Sequence, residues 1–439
     1  MSGAREQLIE LYCAAIAGAD IESLTTHAVA SVPLERRNRV WVLAFGKAAH
    51  AMAGAAVGAL QRALAEIAGG IVVAPEAGDA PVGTVNVMVG DHPVPGRRSF
   101  AAAARIGQIL KEKRGNDLGI VLISGGASSI IGAPLRGMSE PDFSQLFDLV
   151  LGSGLDINGM NAIRKRFSFW GAGRMALALA PAPTHCFAVS DVPGDDLPTI
   201  GSGPCVPDPT RVHQVIELMQ RTGVYGKISS SLRQYLVDCA RGVIPETPKI
   251  AHPAFAHVTA RVIANNDGAL NAAANVARRS SMTATVTEQP LVGDAASAGT
   301  RVAEALLAAK ERAQAGSAHC VIWGGETTVA LRLPAAPGGR CQELALSVAK
   351  RLGEAGDRAT GISVLAAGTD GRDGATDAAG AVVDWTTWNA IAAAGRDPAH
   401  LLRVHESYDA LSSVNALFKP GLTGTNVMDV VIGIVKRDS

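Results

Sequence analysis

Short runs of β-branched and aliphatic residues alternate along this chain with alanine-rich segments of helical spacing, and glycine-bearing turns often separate the two. The apolar runs predict strands at 40–45, 71–73, 85–89, 118–123, 186–189, 258–264, 282–286, 320–323, 362–366 and 427–435. The segments between them predict helices near 48–66, 100–113, 139–152, 158–178, 209–221, 229–240, 267–279, 295–314 and 341–353. Strands that alternate with helices in this way indicate a doubly wound α/β fold.

The length of the chain predicts more than one domain. Its 439 residues exceed what one compact core usually supports, so we expect two domains with a ligand-binding cleft between them. The stretch 242–253 contains three prolines and little periodicity, which is typical of a linker. We therefore predict domains at 1–241 and 254–439, while the last strand, 427–435, can pair in either domain.

Composition and charge narrow the class of protein. Hydrophobic residues make up 48% and charged residues 18%, as in globular proteins with large cores. Because Lys plus Arg and Asp plus Glu both number 40, we expect neither a nucleic acid nor an acidic membrane surface as partner. The apolar runs fall short of a membrane span, and charges interrupt the N-terminal segment, so we expect neither insertion nor export. The six isolated cysteines predict buried, reduced thiols in a cytoplasmic protein, and base rates favour a homodimer.

Two polar motifs follow predicted strands in the first half. Lys47 begins a predicted helix directly after strand 40–45, where a cation can hold a phosphate, although a solvated first-turn lysine is the alternative. The turn after strand 118–123 offers free amides and hydroxyls that can cradle a polyphosphate. Its candidate residues are Ser124, Gly125, Gly126, Ser128 and Ser129. It lacks the Gly-Lys-Ser/Thr of a P-loop, so the common phosphate-loop assignment does not apply.

An acidic turn follows the predicted strand 186–189. Asp191, Asp195 and Asp196 lie within six residues of one another. Hard carboxylate oxygens of this kind suit Mg²⁺ that is held largely through water and phosphate. Solvated acids in an Asx-type turn are the alternative. His92, before a proline in another turn, is either a base or a structural residue.

The second half carries three further polar motifs. Glu326 and Arg340 lie in glycine-flanked segments, and an arginine that opens a helix can offer a bidentate fork to carboxylate or phosphate. Asp370 lies in a turn dense in Gly, Thr and Asp, which is costly to order unless something binds it. Asn266 follows another predicted strand. The spacing around Asp370 does not fit an EF-hand.

These motifs, in this order, resemble those of the class II glycerate kinases, the MOFRL family. The resemblance covers nearly the whole chain and rests on AFGKAAHAM at 44–52, GDHPVPG at 90–96, SGGASS at 124–129, INGMNAIRKRFS at 157–168, SDVPGDD at 190–196, GSGP at 201–204, WGGETTV at 323–329, GGRCQE at 338–343, AAGTDGRDGATDAAG at 366–380 and TGTNVMD at 423–429. Each motif alone is weak, but the ordered set is specific.

The resemblance implies a Rossmann-like N-terminal domain, a smaller C-terminal α/β domain and an active site in the cleft between them. It implies transfer of phosphate from ATP, with Mg²⁺, to the 2-hydroxyl of glycerate. Lys47 and Arg340 match residues regarded as catalytic, and the Ser-Gly-Gly loop, with Glu326, is assigned to the nucleotide. Asp191 is our first choice for the base or metal role, with Asp195 beside it as a metal ligand. Asp370 is the second choice for the base. Asp370 and Asn266 are also assigned to substrate binding.

Two other functions compete with the kinase. Members of the family have been named hydroxypyruvate reductases, and a reductase needs a dinucleotide site. Its usual Gly-x-Gly-x-x-Gly turn does not follow any predicted strand. A non-catalytic sugar- or nucleotide-binding module is the second rival, and the number of charged groups in these motifs counts against it.

Overall fold

In a computed structural model, which describes residues 2–34, 39–329 and 337–437, the chain forms two compact units. The N-unit is Ile21–Ala264. The C-unit combines Met1–Asp20 with Asn265–Ser439, and its first element is helix α1 (Ser2–Gly18). The chain therefore crosses between the units twice, after Asp20 and after Ala264, and the second crossing is later than the stretch 242–253 where the sequence suggested a boundary.

The N-unit is built on a parallel sheet of six strands. Its strands are β1 (Arg39–Phe45), β2 (Glu66–Ala74), β3 (Val85–Val89), β4 (Leu118–Ile123), β5 (Thr184–Val189) and β6 (Val258–Ala264). Its helices are α2 (Ile21–Ala30), α3 (Ala49–Arg62), α4 (Arg97–Ile109), α5 (Ala127–Ile130), α6 (Glu140–Leu151), α7 (Ile157–Phe167), α8 (Arg174–Leu179), α9 (Val212–Arg221) and α10 (Ser230–Ala240). The strand order is β3-β2-β1-β4-β5-β6, which is the Rossmann order. The doubly wound α/β fold predicted from the alternation is confirmed.

The order of the strands determines where a ligand can bind. β1 pairs with both β2 and β4, so the chain reverses direction across the sheet at β1. Ligands of open α/β sheets bind in the crevice at the carboxyl ends of the strands on either side of such a reversal. β1 and β4 are almost fully buried, largely apolar strands. The polar residues that follow them therefore lie at the edge of an apolar sheet.

Four helices of the N-unit share a second apolar core. α6, α7, α9 and α10 bury Phe143, Phe147, Ile163, Met219 and Leu236, among others. The single helix predicted at 158–178 is wrong, because the chain leaves helical geometry after Phe167 and restarts at α8. Ser168, which follows α7, is extended, and Gly173, directly before α8, has a φ of 79°, a conformation that favours glycine.

The proline-containing stretch at 242–253 lies inside the N-unit. The Thr247 hydroxyl donates to the Asp208 carboxylate at 2.7 Å, and Lys249 Nζ donates to the Asp208 carbonyl at 3.0 Å. Glu246 accepts a hydrogen bond from the buried Arg166. Prolines and low periodicity indicate irregular backbone but carry no information about these partners, which fasten the segment to one unit.

The C-unit is built on a mixed sheet of seven strands. Its strands are β7 (Thr283–Val286), β8 (Leu291–Asp294), β9 (Ala318–Thr328), β10 (Ile362–Gly368), β11 (Gly380–Asp384), β12 (Leu417–Phe418) and β13 (Asp429–Lys436). Its further helices are α11 (Asn266–Arg279), α12 (Ala295–Arg312), α13 (Arg340–Ala355), α14 (Thr387–Ala393), α15 (Pro398–Arg403) and α16 (Ser407–Ser412). The order is β12-β11-β10-β13-β9-β7, and β8 also pairs with β9. The last strand, which the sequence left unplaced, lies at the centre of this sheet.

Helix α1 packs within the C-unit although the sequence grouped it with the first domain. Tyr12 donates its hydroxyl hydrogen to the Gly368 carbonyl at 2.8 Å, and Lys436 donates to Gln7 at 2.7 Å. These contacts join the start of the chain to β10 and β13. Cys13, on the outer face of α1, is exposed, so the prediction that all six cysteines are buried is wrong for this one.

β9 extends past the end predicted for it. The sequence predicted a strand over 320–323, but Gly324 and Gly325 also lie inside it. A Cβ at Gly324 would overlap the side chain of Asn266, so this glycine serves close packing and not a turn. Within the described residues, we find no helix long and apolar enough to cross a membrane.

Candidate active site

Lys47 lies immediately beyond β1, at the reversal in strand order. Its backbone N–H donates to the Gly125 carbonyl at 2.9 Å, and the next N–H, of Ala48, donates to the Ser124 hydroxyl at 3.0 Å. The Lys47 side chain is exposed. The backbone that carries the ammonium group is thus fixed by the loop after β4, while the group itself remains accessible to a ligand.

The loop after β4 is ordered by its own small polar residues. Ser124 donates its backbone N–H to Phe45 at 2.9 Å, and Gly126 has a φ of 82°. Ser128 shares a hydrogen bond of 2.6 Å with Ser202, and both hydroxyls lie 3.4 Å from Asn161 Oδ1. The loop 124–129 is therefore anchored to β1 on one side and to α7 on the other.

Asp191 packs directly onto this loop. A Cβ at Gly125 would overlap the Asp191 carboxylate, so that carboxylate lies against the α-carbon of Gly125. Burial raises the pKa of Asp191, and the nearby charge of Lys47 partly offsets the increase. The structure thus brings Lys47, the Ser-Gly-Gly loop and Asp191 together. Asp195 lies in the following turn, where its N–H donates to Val192 at 3.1 Å.

His92 borders the same loop. Its Nδ1 lies 3.0 Å from the Ser129 hydroxyl, which also donates to the Gly126 carbonyl at 3.1 Å. Partial burial, followed by the charges of Lys47 and Arg164, lowers the pKa of His92 to about 4. A neutral imidazole that hydrogen-bonds the loop supports its geometry, in line with the structural alternative for this residue.

Replacement of Gly125 by alanine tests the contact with Asp191. The φ of Gly125 lies outside the left-handed region, so alanine fits the backbone, but its methyl group must displace the Asp191 carboxylate. We expect kcat to fall by about tenfold, because small shifts of reacting groups are costly. The matched control is Gly54→Ala on α3, where a Cβ meets open space. Steady-state rates of both variants check this, and equal rates would contradict it.

The C-unit holds a second set of the predicted residues, around Arg340. Arg340 Nε and Nη2 donate to the Asp429 carboxylate at 2.6 and 2.8 Å, and Nη1 lies 3.0 Å from Glu326. Burial lowers the pKa of Arg340, but hydrogen bonds and charge from Asp429 outweigh it and raise the pKa overall. Arg340 is therefore a permanently charged guanidinium held between two carboxylates.

Asn266 and Asp370 flank this ion pair. Asn266 donates its amide hydrogens to the carbonyls of Val427 and Asp429 at 2.7 and 3.0 Å, so the amide group holds the start of β13 in place. Asp370, just after β10, accepts from the Arg372 N–H at 3.0 Å. Its charge also raises the pKa of Asp429, which burial already raises. Asp370 is half-buried and lies within electrostatic reach of the ion pair.

Several residues at these sites had no role assigned from the sequence. Asp429 ends the motif TGTNVMD, and Asp373 lies in the Gly-Thr-Asp segment, where it accepts from the Gln342 N–H at 2.8 Å and burial raises its pKa to about 6. Asn161 and Arg164 lie in INGMNAIRKRFS, and Ser202 lies in GSGP. The motifs indicated that these segments are functional, but only the tertiary contacts show which side chains lie at the sites. In the described ranges, no group of three or more His, Cys, Asp or Glu side chains could hold a metal ion by itself.

Two family models match this chain, one mostly in the N-unit and the other in the C-unit. Residues 7–237 match a domain of unknown function, DUF4147, and residues 319–429 match the MOFRL family. The first match spans more than half of the chain.

Curated relatives extend over almost the whole length. The chain is 34% identical to the glycerate 2-kinase of Pyrococcus horikoshii over 402 residues, which cover 91% of this chain and 88% of that protein. It is 36% identical over 430 residues to an Agrobacterium vitis protein with the provisional name hydroxypyruvate reductase, covering 97% and 93% of the two chains.

A solved structure shares the fold. The crystal structure of a glycerate kinase from Thermotoga maritima matches with a TM-score of 0.86 and 31% sequence identity, covering 99% of this chain and all of that one.

Proposed function

This chain belongs to the glycerate kinase family, and on that premise we propose that it transfers the γ-phosphoryl group of ATP to the 2-hydroxyl of glycerate. The products are ADP and 2-phosphoglycerate. The observation that carries the proposal is the arrangement at the reversal of the Rossmann-type sheet. There Lys47, the loop 124–129 and the Asp191 carboxylate meet at the carboxyl ends of β1, β4 and β5.

Each of these groups has a part in phosphoryl transfer. The 2-hydroxyl oxygen attacks the γ-phosphorus, the bond from phosphorus to the ADP oxygen breaks, and the hydroxyl proton passes to Asp191. Burial raises the pKa of this carboxylate, which makes it a better proton acceptor than an exposed aspartate. Lys47 neutralises charge on the phosphoryl group, and the loop 124–129 orients the nucleotide phosphates.

The C-unit residues keep the roles that the family resemblance implies. Arg340 stabilises the transferring phosphoryl charge, and Asp429 holds its guanidinium in a fixed orientation. Glu326 shares this guanidinium and is assigned to the nucleotide side. Asp370 is assigned to the substrate, or to the base role if Asp191 does not fill it. Asn266 acts through β13, since its amide hydrogens are used on backbone carbonyls.

If Asp370 fills the base role, Asp191 can serve as a metal ligand, and the residues near it fit Mg²⁺. Asp191 and Asp195 offer hard carboxylate oxygens, and Mg²⁺ commonly binds one or two carboxylates together with substrate phosphates. Asp191 also lies in a buried setting where Lys47 is the cation that acts on it, so additional positive charge would be favourable. When bound there, the ion would neutralise phosphate charge.

The turn between β1 and α3 does not suit the reductase alternative. A dinucleotide site places its second glycine where the backbone approaches the pyrophosphate. Here Ala48 occupies that position, and its N–H is already bonded to the Ser124 hydroxyl. A lysine precedes it, which suits a terminal phosphate.

We further propose that the protein works in the cytoplasm as a homodimer. Five of its six free cysteines are buried, which suits a reducing compartment. The dimer follows from base rates for enzymes of small molecules.

A coupled assay tests the proposed reaction. We expect ATP, Mg²⁺ and glycerate to yield ADP and a phosphoglycerate, and ³¹P NMR to place the phosphate on the 2-oxygen. Hydroxypyruvate with NADH or NADPH should give no turnover. The variant Lys47→Met, prepared in the same way, controls for contaminating kinases. Oxidation of NAD(P)H by hydroxypyruvate, without formation of ADP in the kinase assay, would refute the proposed kinase activity.

A further inference from the structure

Helix α7 carries three consecutive basic residues that are all buried. Arg164, Lys165 and Arg166 are 7%, 3% and 0% exposed. Two of them have acidic partners, since Lys165 Nζ lies 2.8 Å from Asp208 and Arg166 pairs with Glu246. These two residues show how the fold normally compensates a buried cation, and Arg164 departs from that pattern.

Arg164 has a buried guanidinium with two donor nitrogens that lack a partner in the described part of the chain. Within the ranges that the structure describes, its Nε and Nη2 are enclosed and have no hydrogen-bond partner. Its Cζ lies 4.8 Å from the centroid of the Phe147 ring, so the apolar core covers one face of the group. Burial lowers the pKa of Arg164 to about 10, which still leaves it charged at neutral pH. A buried cation with unmet donors is costly unless a ligand satisfies them.

The position of Arg164 connects it to the site already described. It follows Asn161 by one helical turn on α7, and Asn161 contacts the Ser128 hydroxyl of the loop 124–129. His92, which bonds Ser129 of the same loop, is within electrostatic reach of both Arg164 and Lys47. Two cations therefore act on one small region around the loop, and this region suits a ligand with more than one anionic group.

We propose that Arg164 binds the carboxylate of the substrate while Lys47 serves the phosphoryl group, an inference that rests on the proposed function. The planar guanidinium fork matches a carboxylate in a bidentate geometry. Once the side chains that enclose Nε and Nη2 give way to the ligand, its carboxylate would supply the acceptors that these two atoms lack. In a 2-hydroxy acid the reacting hydroxyl is on the carbon next to the carboxylate. A fixed carboxylate therefore fixes the 2-hydroxyl as well, and it selects hydroxy acids over uncharged polyols.

The variants Arg164→Met and Arg164→Lys test this inference. In both we expect the KM for glycerate to rise by at least about tenfold, with the KM for ATP within about twofold of wild type, because a charge-assisted bidentate contact is lost. Isothermal titration should show the same loss of glycerate affinity without turnover. The ligand-free Arg164→Met protein should melt at the same temperature as wild type or higher, since it loses an uncompensated charge.

Two controls separate ligand binding from packing. Arg221→Met removes an exposed charge at the end of α9 and should leave both KM values unchanged. Arg166→Met removes a paired buried arginine from the same helix and should lower the melting temperature. An Arg164→Met protein that melts lower while its KM for glycerate is unchanged would mean a structural role and overturn the inference.

The remaining outcomes are equally decisive. A rise in the KM for ATP in place of that for glycerate would assign Arg164 to phosphate and overturn the inference. A wild-type protein that binds glycerate through Arg164 but does not phosphorylate it would support the inference and refute the proposed function. If both Arg164 variants phosphorylate glycerate with the kcat and KM of wild type, the proposed function is supported and the inference is refuted.

Discussion

Replacement of Lys47 by methionine should lower kcat by about a hundredfold or more, because it removes a positioned cation from the transferring phosphoryl group. The backbone of Lys47 is fixed by the loop after β4, while its side chain is exposed. The substitution should therefore change the free energy of unfolding by no more than about 0.5 kcal/mol. Steady-state kinetics and denaturant unfolding of the same preparation measure both quantities.

The matched control for Lys47 is Lys227→Met, which removes an exposed lysine of the N-unit that lies outside the candidate site. Its rate and stability should both equal those of wild type. A Lys47→Met protein with a near-normal rate would return Lys47 to the alternative of a solvated first-turn lysine. The phosphate role would then have to come from other residues.

Replacement of Arg340 by methionine should both inactivate and destabilise the protein. Asp429 is only 5% exposed, and loss of its partner leaves a buried carboxylate uncompensated. Such a loss typically costs about 3 kcal/mol or more. We therefore expect a clear fall in the midpoint of urea unfolding, unlike for Lys47→Met. A low rate in this variant alone cannot be assigned to catalysis.

A cycle with Asp429 separates the two effects of Arg340. The double variant Arg340→Met with Asp429→Asn removes both charges and should recover most of the lost stability. Asp429→Asn alone keeps the guanidinium next to Glu326. If Arg340 stabilises phosphoryl charge, the double variant stays inactive while Asp429→Asn retains measurable turnover. Recovery of activity together with stability in the double variant would limit Arg340 to a structural role.

Local patterns in the sequence were sufficient to predict much of the fold. Aliphatic runs identified the central strands β1 and β4 of the parallel sheet, because these are buried on both faces and leave a continuous apolar signal. The positions of Lys47 and the Ser-Gly-Gly loop followed from the same strands, since polar residues directly after a buried strand lie at the edge of the sheet.

Features that depend on distant partners were not predictable in this way. The Gly324-Gly325 pair has the composition of a turn, but its glycines make room for Asn266 and for the backbone of β8. The basic run on α7 has the composition of a solvated helix face, yet Asp208 and Glu246 pair with two of its members in the folded protein. Arg164 differs from its neighbours only in lacking such partners within the described chain, which no local pattern encodes.

Helix α1 has a consequence for synthesis on the ribosome. The hydrogen bond between Tyr12 and Gly368 spans 356 positions, so α1 must wait for residues that are synthesised much later. At roughly 5–20 residues per second, that delay is about 20–70 s. During it, the apolar side chains of Leu8, Leu11 and Tyr12, which the finished C-unit buries, have no strand to pack against. Until β10 and β13 are synthesised, the nascent chain therefore exposes apolar side chains that the finished protein buries.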